Sequence, residues 1–225
     1  PAAVFNRGTF NLCGGKITGN KSHAVYNENA TMNLYGGEIS RNDTTYTDAS
    51  AGAAVVLVSG STLNMTGGTI SGNTATQSSN DAGGGAIYMR GSGKINISGS
   101  AQITGNSSSL DGGAILMGWG EINISGSAKI NSNTASRWGG AICLRQDSNQ
   151  STTLYMRGGE ISGNRVNSTN DDLGFDGGGG VYVDLYATLD LSGTARISGN
   201  YACAVDYKES TTFGGGFGGD RKSVV

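Results

Sequence analysis

The residues of this chain best suited to chemistry are its acids. Asp171, Asp172 and Asp176 crowd the stretch between Asn164 and Gly179. Asp184 and Asp190 follow soon after. Paired carboxylates can act as general acid and base on a glycosidic bond, or ligate Ca²⁺. None of the Arg/Lys bases or Gly-His-Gly segments of lyases and polygalacturonases accompanies them, so the favoured reading is a polar, solvated loop. His23 is the one histidine, with no serine, cysteine or acid arranged around it, and reads as a solvated turn residue. The glycines 177–180 lack the lysine and following helix of a phosphate loop. Cys13, Cys143 and Cys203 lie too far apart for a bridge, with Cys143 and Cys203 placed near one column two rungs apart. The expectation is no catalytic residue, no metal and no cofactor.

Binding candidates come from a different pattern. Tyr26, Val56, Tyr88, Leu116, Cys143 and Tyr182 occupy one repeated position and should face outward if Ile87 and Met89 face inward. Tyr26, Tyr88 and Tyr182 could stack on sugar rings or pack on a partner protein, and Trp119 and Trp138 could extend that face. The loops preceding each rung could equally cover the row.

These residues are held by a repeat. Asn20, Asn42, Asn73, Asn106, Asn133, Asn164 and Asn200 each close one unit, at intervals of 22 to 36 residues. The apolar runs keep their form while the segments between them vary, as in a solenoid. Each unit has three columns. The first holds Ala24-Val25-Tyr26, Ala86-Ile87-Tyr88 and their equivalents. The second alternates apolar and polar residues, as in Leu63-Asn64-Met65 and Ile95-Asn96-Ile97. The third is a single isoleucine: Ile17, Ile39, Ile70, Ile103, Ile130, Ile161 and Ile197.

Alternation with period two means strands, and frequent glycine argues against helix. Three short strands per coil, stacked on their copies, make an all-β parallel β-helix of seven to eight coils, about 35–40 Å long at roughly 5 Å per rung. A lone rung buries too few aliphatics to offset its backbone entropy, so the coils must stack. The closing asparagines should form a structural ladder, because an amide both donates and accepts. Asn11, Asn33, Asn64, Asn96 and Asn123 should form a second, outward one. Their Asn-x-Ser/Thr sequons arise from the repeat itself, so glycosylation is not inferred.

The pairing of Gly-Gly-Ala-Ile (84–87, 112–115, 139–142) with Ile-Ser/Thr-Gly-Asn resembles the repeats of bacterial polymorphic outer-membrane proteins. Those pair Gly-Gly-Ala-Ile with Phe-x-x-Asn; isoleucine stands here in place of the phenylalanine. The resemblance covers about residues 4–206. It implies a right-handed β-helix, an autotransporter-passenger type of segment at the bacterial cell surface or secreted. The implied role is structural display or adhesion, toward a host or environmental glycan or a surface protein. The alternative reading is a carbohydrate-active β-helix enzyme whose site lies on a flank or outside this stretch.

Composition agrees. Among 225 residues there are 40 glycines, one proline and 14 % charged residues, with a net charge of −2. That balance does not steer toward nucleic acid or an anionic membrane. No apolar run is long enough for a membrane-spanning helix. Residues 1–206 are expected to form the β-helix domain, read as a fragment incomplete at both ends, and 207–219 a Gly-rich end. Residues 220–225 match the conceptual translation of a sequencing adapter, and are expected to be a non-native tail.

Overall fold

The computed structural model describes residues 2–45, 52, 54–76, 83–145, 150–168 and 177–204. The acids Asp171, Asp172 and Asp176, and the expected Gly-rich end and tail, lie outside the described residues. All the regular structure described is β, and every strand pairing is parallel. Among the described residues no helix is long and apolar enough to cross a membrane.

The chain winds into a parallel β-helix. The isoleucine strands stack seven deep, and five of the seven have a neighbour on both sides. Coil 3 shows the plan: Val55–Val58, Ser61–Met65, Thr69–Ser71 and Thr74–Thr76. Register is strict. Ile39, Ile70, Ile103, Ile130 and Ile161 pair in sequence along the stack, and each is fully buried. The inner residues of all three expected columns, from Val25 and Met32 in coil 2 to Ile161 in coil 6, form one dry aliphatic core. Glycine corners let each short strand turn onto the next face.

The partition among faces differs from expectation. The first and second columns belong to one sheet, and in coils 4 and 5 they run on as single strands, Ile87–Ile97 and Ile115–Ile124. The third face is made instead by strands that follow the closing asparagine: Asp43–Thr45, Thr74–Thr76, Ser107–Ser108, Thr134–Ala135, Arg165–Ser168 and Tyr201–Ala204. Its buried row is small, running Thr44, Ala75, Ser108, Ala135 and Val166 in register.

Two local readings are corrected. His23 is buried in the strand His23–Asn27, its ring 6.1 Å from that of Tyr26, because coil 1 covers it through the Ala2 pairing. Cys143 and Cys203 do not share a column. Cys143 lies in the wide sheet of coil 6, and Cys203 lies in the third sheet of coil 7.

Candidate functional site

The motif residues come first, because they are the most repeated. At the closing corner, residues 19, 41, 72, 105, 132, 163 and 199 all have positive φ. Five are glycine, while Arg41 (52°) and Ser132 (56°) adopt the same bend. This bend aims the next asparagine into the stack. The Asn106 side chain makes four cross-coil bonds there. Its Oδ1 accepts from the backbone N–H (3.0 Å) and Nδ2 (2.9 Å) of Asn73. Its Nδ2 donates to Asn133 Oδ1 (2.9 Å) and to the Ile70 carbonyl (3.0 Å). The same relay runs unbroken from Asn20 to Asn200. An amide with both donors and both acceptor lobes occupied has nothing left for a ligand.

The Gly-Gly of Gly-Gly-Ala-Ile is a second packing device. Its first glycine has positive φ (Gly84, Gly112, Gly139 and Gly178). Its second leaves no room for a side chain: a Cβ on Gly140 would lie 2.1 Å from the Gly179 carbonyl oxygen and 2.7 Å from the backbone of Arg165. Gly85, Gly113 and Gly179 are equally close to backbone. This corner brings the start of each coil against its own end, and it is not a phosphate cradle.

The outward row of the first column points away from the core and is mostly covered. Tyr88, Leu116 and Cys143 are buried in a satellite cluster, against which Trp138 and Tyr182 pack. The cover is backbone from the segments before the Gly-Gly corners. Gly52 lies against Tyr88, Gly83 against Leu116 and Gly177 against Tyr182, each too close to accept a Cβ. Burial, with the nearby Asp184 charge second, pushes the Tyr182 hydroxyl pKa up, and burial pushes the Cys143 thiol up further. At the start of the row Phe5 is exposed and stacks on half-buried Tyr26 at 5.2 Å.

Trp138 is held from both sides, with the Tyr182 ring at 5.1 Å and the Arg137 guanidinium 4.2 Å from its centroid. Arg137 also makes a bidentate pair with the fully buried Asp111, Nε to Oδ1 at 2.7 Å and Nη2 to Oδ2 at 2.6 Å. This lock ties coil 5 to coil 6 and was not foreseen from sequence; Asp111-Gly-Gly and Arg137-Trp-Gly-Gly were its only trace. Trp119 is different: it lies half-exposed in the strand Ile115–Ile124. Asp184 accepts the Leu185 N–H at 2.8 Å and shapes a tight turn. Among the described residues no three His, Cys, Asp or Glu come together to hold a metal.

The outward row of the second column is polar and regular through coil 5. Asn33, Asn64, Asn96 and Asn123 each donate to the asparagine one coil below, from 2.8 to 3.0 Å, forming the expected outer ladder. Cross-coil ion pairs, Lys16–Glu38 at 2.7 Å and Lys94–Glu121 at 2.8 Å, use charges set in or near register.

Comparison with known families locates the likeness in these corners. The family model of the Chlamydia polymorphic membrane protein repeat matches residues 67–90 and 127–145. Each stretch contains an isoleucine strand, the asparagine corner, the third-face strand and Gly-Gly-Ala-Ile. No curated protein and no solved structure matched the chain. The chain is thus a parallel β-helix repeat protein similar to the Chlamydia polymorphic membrane protein repeats.

Proposed function

We propose that this chain is a non-catalytic display segment of a bacterial cell-surface protein, a rod that presents its flanks and loops for adhesion. The observation that carries this reading is the unbroken interior asparagine ladder, which runs through every coil and engages the most repeated polar residue of the motif. The repeat that most defines the sequence serves axial rigidity. The likeness to a membrane-protein repeat family supports a surface location. The segments that differ in length from one repeat to the next lie in the sequence between repeated corners, so changes there should leave the core untouched.

The test is display of the chain on a bacterial outer membrane through a heterologous anchor. Displaying cells should become protease-sensitive at the surface and adhere to epithelial monolayers above the level of anchor-only cells. Purified chain should release no reducing ends from plant or bacterial polysaccharides. Reducing-end release that is lost on Asp184→Asn would replace display with glycoside chemistry.

A further inference from the structure

We propose that the outer asparagine ladder of coils 2 to 4 holds an extended glycan chain along the rod axis, with one sugar ring stacked on Tyr35. The proposal rests on the display reading and names a ligand class and a place for it.

The first observation is what this ladder leaves open. Asn64 Nδ2 donates to Asn33 Oδ1 at 2.8 Å, and Asn64 Oδ1 accepts from Asn96 Nδ2 at 2.8 Å. Asn33 donates to Asn11 below, and Asn96 accepts from Asn123 above. An amide carries two N–H donors and two acceptor lobes. Each of these three therefore keeps one donor and one acceptor lobe for a group outside the stack, and all three are half-exposed. The inner amides, fully engaged and buried, offer nothing comparable. Each open amide is held in place by the rungs above and below, so little side-chain freedom is lost when a ligand binds it.

The second observation is Tyr35. Leu34, Met65 and Ile97 are in register, so Tyr35, Thr66 and Ser98, the residues just after, hold one position in successive coils. Coils 3 and 4 place a small hydroxyl residue there, and coil 2 places a tyrosine that is 54 % exposed. The corner accepts a small residue, so the fold does not call for the ring. Nor is this the exposure of an end coil. The strand Thr31–Leu34 pairs with coil 1 on one side and coil 3 on the other. Among the described residues, the other exposed large hydrophobics lie in coil 1 or coil 7.

The period selects the ligand. The rungs repeat every ~4.8 Å, close to the length of one ring in an extended glycan chain. Each ring can then meet one amide of the ladder and, in coils 3 and 4, the hydroxyl of Thr66 or Ser98 beside it. Sugar hydroxyls donate and accept as these amides do, and the C–H face of a ring stacks on an aromatic. An extended peptide repeats its same-side groups every ~6.5 Å and would fall out of step. A polyanion would meet one lysine on this face of coils 2 to 4, Lys94, already paired with Glu121 at 2.8 Å.

The test follows the asparagine side-chain amides by NMR. The purified chain is titrated with cello-, xylo-, manno- and chito-hexaoses. At least one should shift the Nδ2 protons of Asn33, Asn64 and Asn96 and leave those of Asn73, Asn106 and Asn133 in place. That hexaose should bind at least tenfold tighter than its disaccharide. Tyr35→Thr, which copies coil 3, should weaken binding tenfold or more with little change in melting temperature. Asn64→Ala should do the same, and Tyr35→Phe should keep the affinity. No shift with any of the four series, shifts confined to other residues, or equal affinity in Tyr35→Thr overturns the proposal. Any of these outcomes leaves the display reading standing, since adherence of displaying cells is measured apart. Adherence no higher than that of anchor-only cells, with the hexaose still bound at Asn64, would overturn the display reading alone.

Discussion

Two asparagine ladders climb this rod, one inside and one outside, with the same rung spacing and the same residue. The inner amides from Asn42 to Asn164 are buried, and each donates and accepts twice across the stack. The outer amides are half-exposed, and each donates once to the rung below. Water can replace an outer bond but cannot reach an inner one. The contrast teaches that a repeated polar residue acts by its place in the cross-section: inside it fixes the coil, outside it remains free to vary. The sequence itself follows this rule. The inner ladder is asparagine in every coil, whereas the outer one gives way to Tyr155 and Asp190 in coils 6 and 7.

The largest expected effect is on the inner ladder. Asn106→Ala strands two donors of Asn73 and removes the side-chain donor to the Asn133 oxygen and the Ile70 carbonyl in a dry interior, leaving that oxygen only the residue 106 backbone N–H. At ~1–3 kcal/mol for each buried unsatisfied group, partly relieved by relaxation, urea unfolding should show a loss of about 3–5 kcal/mol. A loss under ~1 kcal/mol would erase the distinction between the ladders.

Arg137→Ala extends the comparison from amides to charges. It leaves Asp111 buried and unpaired, and should destabilise by about 3–5 kcal/mol in the same assay. Replacing both partners together, as Asp111→Leu with Arg137→Met, should recover much of that loss.

The outer ladder should respond weakly. Asn64→Ala removes the acceptor of Asn96 and the donor to Asn33 at a half-exposed site, and should change stability by ~1 kcal/mol or less.

The smallest effect is in pH. Hydrogen bonds from Lys16 and Lys94 hold Glu38 and Glu121 below the ordinary value of 4.5. Their contribution is therefore present above pH 4.5 and fades as pH falls through the lowered values. Both side chains are partly open to solvent, so the melting temperature should show a shallow acid limb that flattens in high salt.

Much of this was legible in the chain. The alternation in Leu63-Asn64-Met65 fixes an inward and an outward face, and the spacing of the closing asparagines places them on one line. The third face was not legible, because strands such as Ser107–Ser108 are two residues of small polar type with no apolar rhythm. Alternation also says which way Tyr88 points but not what lies over it. Its cover is Gly52, a residue without a side chain to announce the contact. The Asp111–Arg137 lock stayed hidden for a similar reason: neither residue recurs at its position in other coils.

The central claim is that the motif asparagines serve the stack and not a ligand. Hydrogen exchange of asparagine side-chain amides, followed by NMR, tests it most directly. The Nδ2 protons of Asn73, Asn106 and Asn133 should exchange only through unfolding, and those of Asn33, Asn64 and Asn96 orders of magnitude faster. Rapid exchange at Asn106, matching that of Asn64, would contradict the account.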